Sequence, residues 1–240
     1  ARHKDKIAAI IVEPIAANMG VVPPETDFLK GLQDIAHRNG ALLIVDEVIT
    51  GFRLHNGSAQ ELLDIEADLT TLGKIIGGGV PVAAYGGRAE LMNYVAPLGP
   101  VYQAGTLAGN PLAMRAGIAA LKQLTNSELY EEMTQRARRL VFGLRAELAD
   151  AGIPAQINAI GSLATVFFTS EPVRNYTDAK RSDTKRYARF FREMLDRGIF
   201  LAPSQFEAAF ISAAHTAADV DRTLAAAHES LQAMAAEPAA

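Results

Sequence analysis

ALLIVDEVITGFR, residues 41–53, opens on five apolar side chains with no polar break. Such a run predicts a sheet strand buried on both faces. It ends at Asp46, which places a carboxylate at the carboxyl end of the strand, where open α/β sheets bind their ligands. Lys74 follows 28 positions later and enters Gly77-Gly78-Gly79, a loop too flexible for ordinary helix. A buried acid with a nearby lysine suggests one chemistry above others. The acid keeps a pyridinium nitrogen protonated while the amine forms a Schiff base with an aldehyde cofactor. An apolar strand ending in Asp-Glu also fits the metal-binding strand of a P-loop ATPase, but GxxxxGK[ST] is absent from the 240 residues. A solvated strand end without chemistry is the third reading, and spacing alone does not separate it from the first.

Upstream, Ile7 to Val12 is apolar and β-branched, a second buried strand ending at Glu13-Pro14. After a loop carrying Asn18, Gly20 and Pro23-Pro24, a helix is predicted with Phe28, Leu29, Leu32, Ile35 and Ala36 on one face. Thr26 or Asp27 can cap its start and Gly40 suits its end. Strand, helix, strand is the βαβ rhythm of a parallel sheet. Downstream, Thr50-Gly51-Phe52-Arg53 turns the chain, Glu61 to Asp68 reads as a short amphipathic piece, and Leu69 to Leu72 leads to Lys74. Val82 to Tyr85 is a further strand candidate, closed by Gly86-Gly87. Tyr102 to Thr106 reads as loop. Asn110 then caps a helix with Pro111 at its first position, running through Leu121 and apolar nearly all round, hence expected to be buried.

Near Thr125 the character changes. Leu129, Tyr130, Met133, Ala137, Leu140, Val141, Leu144 and Leu148 keep helical period as far as Gly152. Leu163 to Phe168 reads as a strand, Ser182 to Arg197 as a helix stopped by Gly198, and Val220 to Met234 as a last amphipathic helix before a frayed Glu237-Pro238-Ala239-Ala240. The prediction is an α/β part over residues 1–124 and a smaller α+β domain over 125–240, with no internal repeat.

Composition bounds the function. With 49% hydrophobic and 21% charged residues, the chain can build one large or two small cores. A net charge of −4 gives no general pull toward nucleic acid. The run Lys180-Arg181, Lys185-Arg186, Arg189, Arg192 is interleaved with Asp178, Asp183, Glu193 and Asp196, which marks a solvated helix face. No apolar run reaches the ~18 residues of a membrane span. The five histidines show no metal-ligand spacing and cysteine is absent, so no metal is assigned. The charged amino end does not read as a signal peptide; a cytoplasmic enzyme is the default expectation, and Asn56-Gly57-Ser58 would then carry no glycosylation meaning. A chain without an initiator Met that opens inside a core element reads as a segment of something longer.

VEPIAANMGVVPP (12–24), ALLIVDEVITGFR (41–53), TTLGKIIGGGVPVAAYGGR (70–88) and GPVYQAGTLAGNPLAM (99–114) resemble the class III aminotransferases, pyridoxal-phosphate enzymes of fold type I. DEVxTGFR alone fits the whole class. NYTDAKRSD (175–183) and LAPSQFEAAFISAAH (201–215) discriminate further and are similar to its glutamate-1-semialdehyde aminomutase branch. The resemblance covers essentially all 240 residues. It implies the carboxyl-terminal part of a fold type I large domain, mainly parallel sheet with helices, followed by the small α+β domain.

The same resemblance implies a cofactor, pyridoxal 5′-phosphate, and the residues that hold it. Lys74 is the Schiff-base lysine and proton shuttle, Asp46 the partner of the pyridine nitrogen, and Val48 packs against the ring. Asn18 lies near the phenolic oxygen. Gly105 and Thr106 reach the phosphate of a neighbouring subunit, so a homodimer with shared sites is expected. Glu207 lines the pocket of a small amino-acid or aldehyde substrate. The implied reaction converts glutamate-1-semialdehyde to 5-aminolevulinate; amino transfer to an external acceptor, or weak cofactor binding with little activity, are the alternatives. Ala17 and Ala83 stand where the family has Gly, and Ala108 where it has Ser. Family chains are nearly twice as long, and their amino-terminal half, with the cis phosphate loop and the aromatic stacked on the ring, has no counterpart in these residues.

Overall fold

The computed structural model describes residue 3 and residues 6–236, and the chain forms two compact units. The first takes in the chain up to Pro14 and Pro24–Ser127; the second takes in Ile15–Pro23 and the chain from Glu128. The main division falls close to the change of character near Thr125, while Ile15–Pro23 goes with the second unit, which a single cut does not anticipate. The end read as frayed, from Glu237 to Ala240, lies outside the described residues, as do residues 1, 2, 4 and 5 of the charged amino end.

In the first unit β1 (Ala9–Val12), β2 (Leu42–Asp46) and β3 (Leu69–Leu72) lie side by side and parallel. β4 (Ala84–Gly87) closes the sheet antiparallel to β3. Helix α1 (Phe28–Arg38) returns the chain from β1 to β2 and buries Leu29 against Leu43 and Val45. Two expectations need correction there. Phe28 and Ile35 are exposed, so only the Leu29–Leu32–Ala36 stripe packs. Asp27 occupies the N-cap position in a left-handed conformation (φ 64°), and its side chain makes no cap hydrogen bond, because a capping carboxylate reaches the first free N–H groups from extended backbone. β2 was expected to be buried on both faces. Leu43 and Val45 are sealed, whereas Leu42, Ile44 and Asp46 are half-buried.

At the amino end of β3, Asp68 is only 2% exposed and ties the unit together. Its Oδ2 accepts from the Leu43 N–H (2.7 Å) and pairs with His37 Nε2 (2.9 Å), while Oδ1 accepts from Arg88 (2.7 Å). Burial works to raise its pKa, but the Leu43 amide, the Arg88 guanidinium and His37 together outweigh it and hold the carboxyl below the usual value.

β3 runs into Lys74–Gly77, a 3-10 turn that takes in the first glycine of the Gly77-Gly78-Gly79 loop, whose other two stay in turn conformation. The short helices α2 (Ala59–Leu62) and α3 (Ala89–Met92) follow β2 and β4. Helix α4 (Pro111–Gln123) is capped as read, Asn110 Oδ1 accepting from the Leu112 and Ala113 amides. It is not buried, however: Leu112 is 74% exposed and Met114 and Ile118 are also exposed. α4 meets the Lys74 turn through its small residues instead. A Cβ on Gly117 would lie 2.5 Å from the Ile76 carbonyl oxygen, and one on Gly78 2.7 Å from that of Ala116.

The second unit pairs β5 (Gln156–Ile160), β6 (Leu163–Phe167) and β7 (Ala209–Phe210) antiparallel. β5 and β7 escaped the sequence reading; β5 opens on Gln156 and carries Asn158, and β7 is two residues long. Helices α5 (Ser127–Asp150), α6 (Tyr176–Ala179), α7 (Thr184–Asp196) and α8 (Ala217–Ala236) complete the unit. Leu144 and Leu148 of α5, Phe190 and Met194 of α7 and Leu231 of α8 share its core, with Phe168 edge-on to Phe190 at 5.6 Å. Ile15–Pro23 joins by hydrogen bonds, Val21 N–H to Thr165 Oγ1 (3.0 Å) and Asn158 Nδ2 to the Val21 carbonyl (3.0 Å). Among the described residues no helix is long and apolar enough to cross a membrane.

Candidate functional site

Parallel pairing brings the carboxyl ends of β2 and β3 side by side, with Asp46 in register opposite Thr71. Asp46 Oδ1 accepts from the Val48 N–H (3.0 Å) and from the Thr71 hydroxyl (3.1 Å). Three residues beyond Thr71, Lys74 leaves the strand with φ 47°, in the left-handed region that costs a non-glycine residue on the order of 1–2 kcal/mol. Its side chain is exposed and makes no hydrogen bond or ion pair among the described residues. Gly73, just before it, admits Val48: a Cβ there would sit 3.3 Å from Val48 Cγ1. Asp46, Val48 and Lys74 are therefore assembled by one strand register and one close approach. An acceptor carboxylate and a free primary amine stand at the end of the sheet where ligands bind.

Glu47 is the residue that the sequence reading passed over. It is fully buried, and its carboxylate accepts five hydrogen bonds: from the Thr50 and Ser58 hydroxyls, the Ala59 and Gln60 amides, and the Gln60 side chain. Gln60 in turn donates to Thr70 Oγ1 (3.1 Å) and accepts from the Ala67 N–H (2.9 Å). The network clamps the loop after Asp46 onto the start of α2 and onto β3. The signal was present in the Asp-Glu pair and in Ser58, which is here the N-cap of α2.

Gly105 and Thr106 lie in a wholly exposed stretch, where the Gly105 carbonyl accepts from the Ala108 N–H (2.9 Å). Among the described residues neither hydrogen-bonds to Asp46, Val48 or Lys74. Asn18, exposed, and Glu207, also exposed, belong to the second unit. Glu207 borders a cavity of about 70 Å³ shared with Leu140, Thr165, Tyr187 and Leu201. That is far below the ~300 Å³ of a small-molecule site. The Tyr187 hydroxyl donates to the Ala202 carbonyl (2.6 Å), and its pKa is pushed up to about 12 by burial and then by the Glu207 charge. No cluster of metal-ligating side chains occurs among the described residues.

Comparison with known proteins gives the family. The aminotransferase class-III family model matches residues 1–232. The glutamate-1-semialdehyde 2,1-aminomutase of Desulforamulus reducens is 58% identical over 231 residues, which is 96% of this chain and 54% of that protein. The protein of the same name from Persephonella marina is 55% identical over 223 residues, or 93% and 52%. The chain thus spans about half the length of the curated relatives it matches. Among solved structures, an omega-transaminase from Sphaerobacter thermophilus matches with a TM-score of 0.87 at 32% identity, covering 96% of this chain and 53% of that one. A glutamate-1-semialdehyde-aminomutase from Pseudomonas aeruginosa PAO1 in complex with PMP matches with 0.84 at 30% identity, covering 94% and 52%. The fold is that of the fold type I transaminases, and the chain belongs to the class III aminotransferase family.

Proposed function

We propose that this chain acts as part of a pyridoxal-phosphate-dependent aminomutase that converts glutamate-1-semialdehyde to 5-aminolevulinate. Residues 1–124 are assigned to the carboxyl-terminal half of the cofactor-binding large domain and residues 125–240 to the small domain. The observation that carries the proposal is the placement of Asp46, its Oδ1 held by Thr71 and Val48, beside the strand that ends just before Lys74, an amine with no partner among the described residues. Those groups fit the cofactor's ring nitrogen and its aldehyde. Bound there, pyridoxal phosphate supplies a pyridine ring that accepts electron density from the carbon losing its proton.

The chain's own residues divide the remaining work. Asp46 holds a proton on the ring nitrogen. Lys74 would hold the cofactor at its aldehyde through Nζ, with loss of water, and would move a proton between C4′ and the substrate carbon. Val48 supports the ring, and Asn18 approaches the phenolic oxygen. Gly105 and Thr106 serve the phosphate bound by a second copy in a homodimer, and Glu207 borders the substrate. A cytoplasmic setting suits this role. Eight relatives at 51–58% identity carry the aminomutase name.

A second reading is amino transfer to an external acceptor. It draws on two solved transaminases that match at 32% and 35% identity, against 30% and 28% for two aminomutase structures. One experiment tests both. The protein is loaded with pyridoxal phosphate, reduced with borohydride and mapped by mass spectrometry, and 5-aminolevulinate formation is followed with and without added keto acid. Label on Lys74 alone with acceptor-independent product is expected; label elsewhere overturns the site, and a strict acceptor requirement overturns the aminomutase assignment.

A further inference from the structure

The Asp46 carboxylate is held asymmetrically. Oδ1 takes two donors, the Val48 N–H and the Thr71 hydroxyl, while among the described residues no hydrogen bond reaches Oδ2. The Val48 amide is local to the carboxylate and fixes one oxygen, but by itself leaves the carboxylate plane free to rock about the Cβ–Cγ bond. The Thr71 hydroxyl arrives from the neighbouring strand and removes that freedom. Its own position is well determined. Thr71 is β-branched, stands in register opposite Asp46, and its carbonyl accepts from the Glu47 N–H at 2.9 Å. Side chains alternate along β3, so the consecutive threonines serve opposite faces: Thr70 accepts from Gln60 of the Glu47 network, and Thr71 donates to Asp46.

We infer that Thr71 is a positioning residue, whose hydroxyl occupies Oδ1 so that Oδ2 is the oxygen presented to a protonated ring nitrogen. The inference rests on the cofactor reading above and adds to it the group that aims the acid. A threonine that merely stabilised the sheet would affect every ligand alike, or none. One that aims Oδ2 affects only ligands with a ring N–H.

The test compares pyridoxal phosphate with its deaza analogue, in which carbon replaces the ring nitrogen, by absorbance titration of the wild-type protein and of Thr71→Val and Thr71→Ser. Valine keeps the shape and removes the donor, so Thr71→Val should bind pyridoxal phosphate roughly fivefold to tenfold more weakly, the worth of one hydrogen bond. The same variant should bind the deaza analogue as the wild type does. Thr71→Ser restores the hydroxyl and should recover most of the affinity. Equal losses for both ligands, no loss for either, or a serine variant as weak as the valine variant overturns the inference. Borohydride mapping of the wild-type protein separates the two levels: absence of label on Lys74 overturns the cofactor reading and the inference with it, whereas label on Lys74 with an unchanged Thr71→Val titration overturns the inference alone. Thermal melts of each apo variant identify unfolding, and the serine comparison stands even where the valine variant melts early.

Discussion

Asp46 and Glu47 are adjacent carboxylates with different work. Asp46 is half-buried and has one oxygen without a hydrogen-bond partner among the described residues; Glu47 is fully buried and has five donors. Substituting the first should therefore be a chemical loss and the second a structural one. Asp46→Asn should leave the melting temperature close to that of the wild type and lower turnover by about a hundredfold or more, as expected when a charge facing a reacting ring is removed. Steady-state assay beside a circular-dichroism melt checks this, and near-full turnover refutes the role. Glu47→Gln places an amide NH₂ among hydroxyl and amide donors, leaving buried groups unpaired. It should cost about 2–4 kcal/mol in urea unfolding, and a variant as stable as the wild type counts against the clamp. The three alanines that depart from the family pattern differ in setting: Ala83 is exposed, where the methyl added to a glycine meets solvent, Ala108 is exposed and lacks only the hydroxyl of a serine, and Ala17 is buried.

α4 bears on the lysine turn without contributing a predicted site residue. The near-contacts at Gly117 and Gly78 allow the helix to sit on the Lys74–Gly77 turn at backbone distance. In an ordinary helix Gly→Ala gains roughly 1 kcal/mol from propensity. Here Gly117→Ala should lose about 1–3 kcal/mol instead, because the new Cβ displaces α4 from the Ile76 carbonyl. Urea unfolding decides the sign, and a stabilised variant would refute the contact. The Asp68 lock makes a second expectation, in pH. Its folded pKa lies below the unfolded value, so its contribution is fully present above the unfolded pKa of about 3.9 and is lost as pH falls through the folded one. Asp68→Asn should be less stable than the wild type by about 2–3 kcal/mol at neutral pH, a figure reduced because His37 and Arg88 are partly solvated. The gap should close below about pH 4, and a gap that is constant down to pH 2 would exclude the linkage.

Over the whole molecule, the apolar groups that the first unit leaves exposed point to association. Tyr102, Leu107, Leu112, Met114 and Ile118 are all exposed, in and around α4. A homodimer should form at micromolar concentration with cofactor present, and light scattering showing a stable monomer would argue against it. The chain also spans about half the length of its relatives, and the family resemblance implies that a cis phosphate loop and a stacking aromatic belong to the other half. Two such contacts are each worth on the order of 1–2 kcal/mol or more. The 240 residues should therefore bind pyridoxal phosphate at least about thirtyfold more weakly than the full-length Desulforamulus reducens relative titrated beside them. Equal affinity would mean that a second copy supplies the missing contacts.

The sequence by itself determined the βαβ core, the Asn110 cap of α4, and the acid and lysine at strand ends. Those follow from periodicity and from residue types that act within a few positions, as at Asn110-Pro111 and in the apolar run before Asp46. It did not show that Phe28 and Ile35 stay exposed, that α4 packs through Gly117 rather than its large side chains, or that Ile15–Pro23 joins the second unit. Those depend on which distant backbone comes close, and apolar periodicity carries no information about the partner. The hydrogen bond between Thr71 and Asp46 spans 25 positions, and the clamp on Glu47 reaches 13. Only the parallel register of β2 and β3, and the turn back to α2, bring those donors within reach of the two carboxylates, so the tertiary structure alone decided which acid is free to act and which is locked.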